Sequence, residues 1–121
     1  MKALAAVAGI CLLFTNPLNA QDAQQNAKKG KDAWMTYSCY ACHGYSGNGG
    51  NGPKLAQGGR FNNATALTNY VRNPPRPNLM PSYSNKVLQD AELADMFAFL
   101  KSIPASPAAK DVALLAELTK P

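Results

Sequence analysis

The sequence predicts an all-α fold of four or five short helices. Apolar residues recur at helical spacing, most clearly at Leu93, Met96, Phe97 and Leu100, which occupy positions i, i+3, i+4 and i+7. No segment shows the alternation of apolar and polar residues that is typical of a half-buried strand. Glycine, proline and small polar residues interrupt the chain at 44–52, 73–84 and 104–107. These observations favour short helices joined by irregular loops.

The first 20 residues predict a cleaved export signal. Lys2 supplies a positive start, and residues 3–14 form an apolar run too short to persist as a membrane span. Cleavage is expected after Ala20, and Cys11 would leave with the leader; no lipobox precedes it, so no lipid anchor is predicted. Cleavage after residue 20 of 121 would leave one domain at 21–103 and a C-terminal extension at 104–121.

The charge of the remaining chain is modest and scattered. Removing Lys2 with the leader leaves 11 of the 12 basic residues against 7 acidic ones, a net charge of +4. Nucleic-acid binding would need a clustered basic face, and none is visible. No second membrane segment is predicted, and a chain this small buries little apolar surface without help from a cofactor.

The helices are predicted in order from their caps and breakers. The first covers 24–38, with Asp22 or Asn26 as its cap; Gly30 inside it indicates close contact with another element. The next covers 64–72, is capped by Asn62 or Asn63, and ends at the prolines 74 and 75. The amphipathic helix at 89–103 follows, and a final short helix at 108–118 would present Val112, Leu115 and Leu118 on one face.

The run Cys39-Tyr40-Ala41-Cys42-His43 is a C-x-x-C-H motif, the attachment signature of a c-type haem. Two thiols at this spacing can form thioethers with the two vinyl groups of a porphyrin, and the following imidazole can bind the iron axially. The alternative for the two cysteines is a disulfide or a thiol-redox pair. The thiol-redox C-x-x-C motif lies at a strand-to-helix junction of an α/β fold, and this sequence shows no strand pattern. A structural zinc site would need about four ligands, and the chain without its leader offers three.

With this motif and the helices around it, the chain resembles a class I c-type cytochrome, in particular the small monohaem members of the bacterial periplasm. The resemblance covers about residues 25–103 and follows the family order of helix, C-x-x-C-H, Gly-Pro-x-Leu loop, middle helix, Met-Pro loop and amphipathic helix. It implies a small cytochrome c fold wrapped around one haem c, joined through Cys39 and Cys42. Gly30 and Trp34 resemble the pair at which the first and last helices cross, with Phe97 and Leu100 facing them.

The second iron ligand must come from sequence distant from His43. The initiator methionine leaves with the leader, Met35 lies too close to Cys39 to reach the other face, and Met96 is expected to pack in the core. Met80 precedes a proline in an irregular loop and resembles the ligand of the family. We therefore expect His43 and Met80 as the iron ligands.

A His/Met-ligated haem predicts one-electron transfer at a positive potential, with no position open for catalysis. The resemblance implies that the carbonyl of Pro53 accepts a hydrogen bond from the axial imidazole. The haem propionates need hydrogen-bond donors, and the candidates are Arg60, Arg76, Trp34 and Tyr83.

The predicted function is a periplasmic electron carrier between a dehydrogenase or quinol-oxidising complex and a terminal oxidase or reductase. It would be a monomer, and Lys54, Arg76 and Lys86 would steer acidic redox partners to the haem edge. One alternative is a dedicated cytochrome subunit of a periplasmic dehydrogenase, docked through the 105–121 extension. A remote alternative is a haem sensor or peroxidase, which would need Met80 to leave the iron.

Overall fold

The computed structural model describes residues 18–118, and this part of the chain is helical with no strand, which confirms the predicted all-α class. The helices are α1 (Leu18–Thr36), α2 (Tyr40–His43), α3 (Ala64–Arg72), α4 (Asp90–Ser102) and α5 (Ala113–Leu118). Two short 3₁₀ turns lie at Ala56–Gly58 and Ala109–Asp111. Among the described residues, no helix combines the length and the apolar character that a membrane span requires.

Helix α1 differs from its predicted bounds at both ends. It already includes Leu18, the first residue that the structure describes, and not only the residues from 24 onward, so Asp22 and Asn26 lie inside the helix and do not cap it. The alanine and glutamine residues of this stretch favour helix and extend it toward the N-terminus. The helix ends at Thr36 rather than at residue 38 because Ser38 has a φ of 58°, which a right-handed helix cannot continue. Most of the predicted leader, residues 1–17 with Lys2 and Cys11, lies outside the described residues.

The core forms where α1 crosses α4, and Gly30 marks the crossing. A Cβ on Gly30 would collide with the carbonyl of Asp95, so only glycine allows the two backbones to approach this closely. Further along, Trp34 packs against Phe99 with ring centroids 6.1 Å apart. Phe97, expected at the crossing, lies beside Gly58 of the first 3₁₀ turn. Phe97 and Phe99 are two residues apart on α4, so they lie on different sides of the helix and contact different neighbours.

Helices α3 and α4 begin with side-chain caps. The Oδ1 atom of Asn63 accepts a hydrogen bond of 2.8 Å from the amide of Ala66, so Asn63 is the cap of α3. At the start of α4 the amide of Gln89 donates to Glu92 Oε2 at 2.8 Å. The caps fix the first turn of each helix, and the cap at Gln89 also marks where the long segment between α3 and α4 ends.

The C-terminal extension forms less helix than predicted. The expected helix at 108–118 is divided into the 3₁₀ turn Ala109–Asp111 and the short helix α5. Leu114, Leu115 and Leu118 of α5 are 70%, 43% and 76% exposed. The side-chain amide of Gln57 donates to the carbonyls of Ile103 and Pro104, each at 3.0 Å, and ties down the start of the extension. Residues 119–121 lie outside the described part of the chain.

Candidate functional site

The C-x-x-C-H motif begins directly where α1 ends. The amide of Cys39 donates to the carbonyl of Trp34 at 3.1 Å, so the motif turns back against the last turn of α1. The motif then forms its own short helix, α2, in which the amide of His43 donates to Cys39 O at 3.0 Å. This helix, which the sequence did not predict, places Cys39 in a half-buried position, Cys42 at the surface and His43 inside.

The two thiols differ in burial. Cys39 and Cys42 are not joined in a disulfide, and burial raises the pKa of the Cys39 thiol from 9.0 to about 11. The same burial puts Cys39 on the wall of the apolar cleft described below, whereas Cys42 is exposed. Cys39 therefore lies on the cleft side of the motif, and Cys42 lies on its solvent side.

The imidazole of His43 is oriented by the loop that follows the motif. Its Nδ1 atom lies 2.8 Å from the carbonyl oxygen of Pro53. A carbonyl can only accept, so Nδ1 carries the proton and Nε2 presents its lone pair. Gly52 lies against the same ring, because a Cβ on it would stand 2.8 Å from Cε1 and Nδ1. The loop thus selects both the tautomer and the position of the imidazole.

An apolar cleft lies between the motif and the other helices. It contains about 390 Å³ of space unfilled by protein atoms, counting its open mouth. Its walls are almost wholly apolar and come from all parts of the domain: Trp34, Cys39, His43, Leu55, Leu67, Val71, Met80, Tyr83, Leu88, Leu93 and Met96. The cleft therefore brings together three of the predicted site residues, Cys39, His43 and Met80, from distant parts of the sequence.

The methionines occupy different positions relative to this cleft. Met80 is half-buried and lies on the irregular segment between α3 and α4, where its amide donates to Arg76 O at 3.0 Å. Met96 is 2% exposed and packs in the core, as expected, but it also lines the cleft. The sequence did not show this second contact, since helical periodicity alone cannot tell a core position from a cleft wall.

The expected propionate donors are not equally available. The indole Nε1 of Trp34 donates to the carbonyl of Gly44 at 3.1 Å, so its one donor is engaged within the chain. The hydroxyl of Tyr83, on the cleft wall, donates to Tyr37 O at 3.3 Å. The guanidinium of Arg60 lies over the ring of Tyr70, 4.4 Å from its centroid. Arg76 is exposed, as are the predicted rim lysines Lys54 and Lys86.

Two residues that shape the site escaped the sequence analysis. Gly52 packs against the imidazole, and the only signal for it in the sequence is the Gly-Pro step at 52–53. Arg72, the last residue of α3, donates hydrogen bonds to the segment that carries Met80. No local signal in the sequence marks such a contact.

The domain is helical, and its C-x-x-C-H motif forms a short helix. A carbonyl directs the imidazole, and an apolar cleft lies behind it. These features define a c-type cytochrome domain. The model of the family described as Cytochrome C oxidase, cbb3-type, subunit III matches residues 25–100. The chain belongs to this family, carries covalently bound haem c and takes part in haem-based electron transfer. No curated protein and no solved structure shows significant similarity to the chain.

The residues around the cleft fit a covalently bound haem c. The walls suit an apolar macrocycle, one thiol lies at the N-cap of α2 and the other within it, and the one histidine has its Nε2 free. A thioether sulfur shares the cleft with that imidazole. The site therefore offers two thiols that would attach a haem covalently, and an imidazole and a thioether that would be able to bind its iron.

Proposed function

We propose that this protein is a periplasmic one-electron carrier with a His/Met-ligated haem c. It would accept an electron from a dehydrogenase or quinol-oxidising complex and deliver it to a terminal oxidase or reductase. Cys39 and Cys42 would hold the haem, His43 and Met80 would bind its iron, and Pro53 would orient the imidazole.

The placement of His43 and Met80 on one apolar cleft carries this proposal. His43 is 9% exposed and its Nδ1 is committed to Pro53, so only Nε2 is free to bind a metal. A haem c bound here supplies reversible one-electron oxidation of its iron. The chain's own residues would surround the haem with apolar side chains and hold the imidazole in one tautomer. With two protein ligands in place, no position remains for a substrate, which supports a carrier rather than an enzyme.

Absorption spectroscopy of the holoprotein tests the ligands. The oxidised protein should show the weak near-infrared band of a methionine–iron(III) bond, and Met80→Ala should abolish it and allow the reduced haem to bind carbon monoxide. Met96→Leu is the matched control, since this second methionine lines the same cleft and should keep the band. Loss of the band in Met96→Leu but not in Met80→Ala would contradict the assignment of Met80. A wild-type protein that binds carbon monoxide rapidly would favour the sensor or peroxidase alternative.

The periplasmic location rests on the leader predicted at residues 1–20. Mass spectrometry of protein from a periplasmic extract should give a mature N-terminus at Gln21. An intact N-terminus with the protein retained in the cytoplasm would exclude this location and the proposed partners with it.

The exposed leucines of α5 favour a second candidate, a dedicated cytochrome subunit of a periplasmic dehydrogenase. Leu114 and Leu118 are 70% and 76% exposed, and such side chains are typical of a docking patch. A free carrier would sediment as a monomer in periplasmic extract. A dedicated subunit would sediment with an enzyme whose substrate reduces its haem, and Leu114→Ser with Leu118→Ser would release it.

A further inference from the structure

We infer that Arg72 is the positioning residue for Met80: its guanidinium holds the segment between α3 and α4 against the cleft. This inference rests on the proposed function, in which Met80 is an iron ligand. Arg72 is not among the residues that line the cleft, and its guanidinium acts through the backbone carbonyls of Tyr83 and Leu88, which do line it.

The first anchor lies at Tyr83, three residues after Met80. The amide of Tyr83 donates to Val71 O at 3.2 Å, and its carbonyl accepts from Arg72 Nη1 at 2.8 Å. Both backbone polar groups of Tyr83 are therefore bound by two consecutive residues at the end of α3. The side chains of Val71 and Tyr83 line the same cleft as Met80, so this anchor fixes the cleft wall next to the methionine.

The second anchor lies at Leu88, just before α4. Arg72 Nη2 donates to Leu88 O at 2.7 Å and also pairs with the carboxylate of Asp90. Leu88 is 1% exposed and lines the cleft, whereas the side chain of Asp90 is 65% exposed. An ion pair with such an exposed partner contributes little, so the hydrogen bonds to the two carbonyls are the stronger part of this contact.

A guanidinium is well suited to making both contacts at once. Its two terminal nitrogens donate in fixed, diverging directions, one to Tyr83 O and the other to Leu88 O. A lysine at this position would keep the charge but offer a single nitrogen on a flexible stem. Arg72→Lys would then leave at least one carbonyl without its charged donor, and the segment would detach more often from α3.

Carbon monoxide binding to the reduced holoprotein and hydrogen exchange of the Tyr83 amide together test this role. Arg72→Lys should accelerate both by at least about tenfold, the factor that corresponds to a lost charge-assisted hydrogen bond of ~1.5 kcal/mol. The Gly52 amide, which donates to Cys42 O at 2.7 Å on the other side of the site, should keep its exchange rate. Arg72→Gln serves the same test if the lysine variant does not accumulate.

Two control variants separate this role from general destabilisation. Asp90→Asn removes the ion pair but leaves both carbonyl contacts, and it should bind carbon monoxide at nearly the wild-type rate. Gln57→Asn shortens a side chain that also bonds two carbonyls, those of Ile103 and Pro104, but far from Met80 in the sequence. Asparagine tolerates the φ of 61° at this position, so the control tests lost contacts rather than backbone strain.

Three results would overturn the inference. Unchanged Tyr83 exchange in Arg72→Lys would overturn the inference, as would faster exchange without faster carbon monoxide binding, since Arg72 would then hold the segment without positioning Met80. An equal effect of Asp90→Asn would assign the role to the ion pair and also overturn it. Failure of the proposed function looks different: wild-type protein would bind carbon monoxide as fast as Met80→Ala.

Discussion

Gly52 and His43 are packed so closely that the loop residue has no room for a side chain. A Cβ on Gly52 would stand 2.8 Å from Cε1 and Nδ1 of the imidazole, and 3.2 Å from the carbonyl of Cys42. The amide of Gly52 also donates to that carbonyl at 2.7 Å. The loop therefore touches both the ring of His43 and the backbone of the motif, and it delivers the carbonyl of Pro53 to Nδ1.

The first prediction concerns this contact. Gly52→Ala should force the imidazole or the loop to move and lengthen the Nδ1–Pro53 bond, at a cost of about 1–3 kcal/mol in the free energy of unfolding. A weaker bond to Nδ1 makes the imidazole a poorer electron donor, so the reduction potential of the holoprotein should rise. Redox titration and denaturant unfolding measure the two effects. Asn51→Ala, at an exposed neighbour, should change neither; an unchanged potential in Gly52→Ala would show that the loop does not tune the iron.

A second prediction concerns the helix crossing. Gly30→Ala should separate α1 from α4, because the added methyl group meets the backbone of Asp95, which cannot move alone. We expect a loss of about 1–3 kcal/mol or more in urea unfolding, despite the higher helix propensity of alanine. Lys31→Ala, at the exposed next residue, is the control and should lie within about 0.5 kcal/mol of wild type. Equal stability of both variants would contradict the close packing.

The third prediction concerns pH. Burial, and then the hydrogen bond to the Glu92 carboxylate and its negative charge, raise the pKa of Tyr37 above its usual 10.0. The folded state therefore keeps this proton at a pH where the unfolded state loses it, so the contribution to stability is complete below pH 10.0 and is lost as pH rises through the folded pKa. Tyr37→Phe should be less stable than wild type at roughly pH 8, and the gap should narrow by roughly pH 11. A gap that stays constant in unfolding measurements would contradict the shift.

The fourth prediction separates the extension from the core. Leu114→Ser and Leu118→Ser should each change the free energy of unfolding by less than about 0.5 kcal/mol, because both side chains are mostly exposed. Leu93→Ala is the reference: this leucine is 1% exposed, so its truncation should cost about 2–5 kcal/mol. A large loss of stability in the α5 variants would show that these leucines pack on the domain, which would remove the support for a docking patch.

The sequence predicted the helices unevenly, for reasons that lie in the residues themselves. Helix α3 has the predicted bounds, since Asn63 caps it and two prolines follow it. Helix α1 was misjudged because its N-terminal half has no strong start signal, and its end depends on the positive φ of Ser38. The short helix α2 could not be predicted, because four residues contain too little periodicity to show a helix.

By itself the sequence determined the class of protein, the cofactor and the motif at 39–43, because thiol and imidazole chemistry depends on spacing along the chain. Only the tertiary structure decided which residues share the cleft with His43 and how that imidazole is directed. It also decided that Gly52 touches the ring and that Arg72 binds the segment after Met80. Such contacts join residues far apart in sequence or depend on the path of a loop, and no local pattern records them.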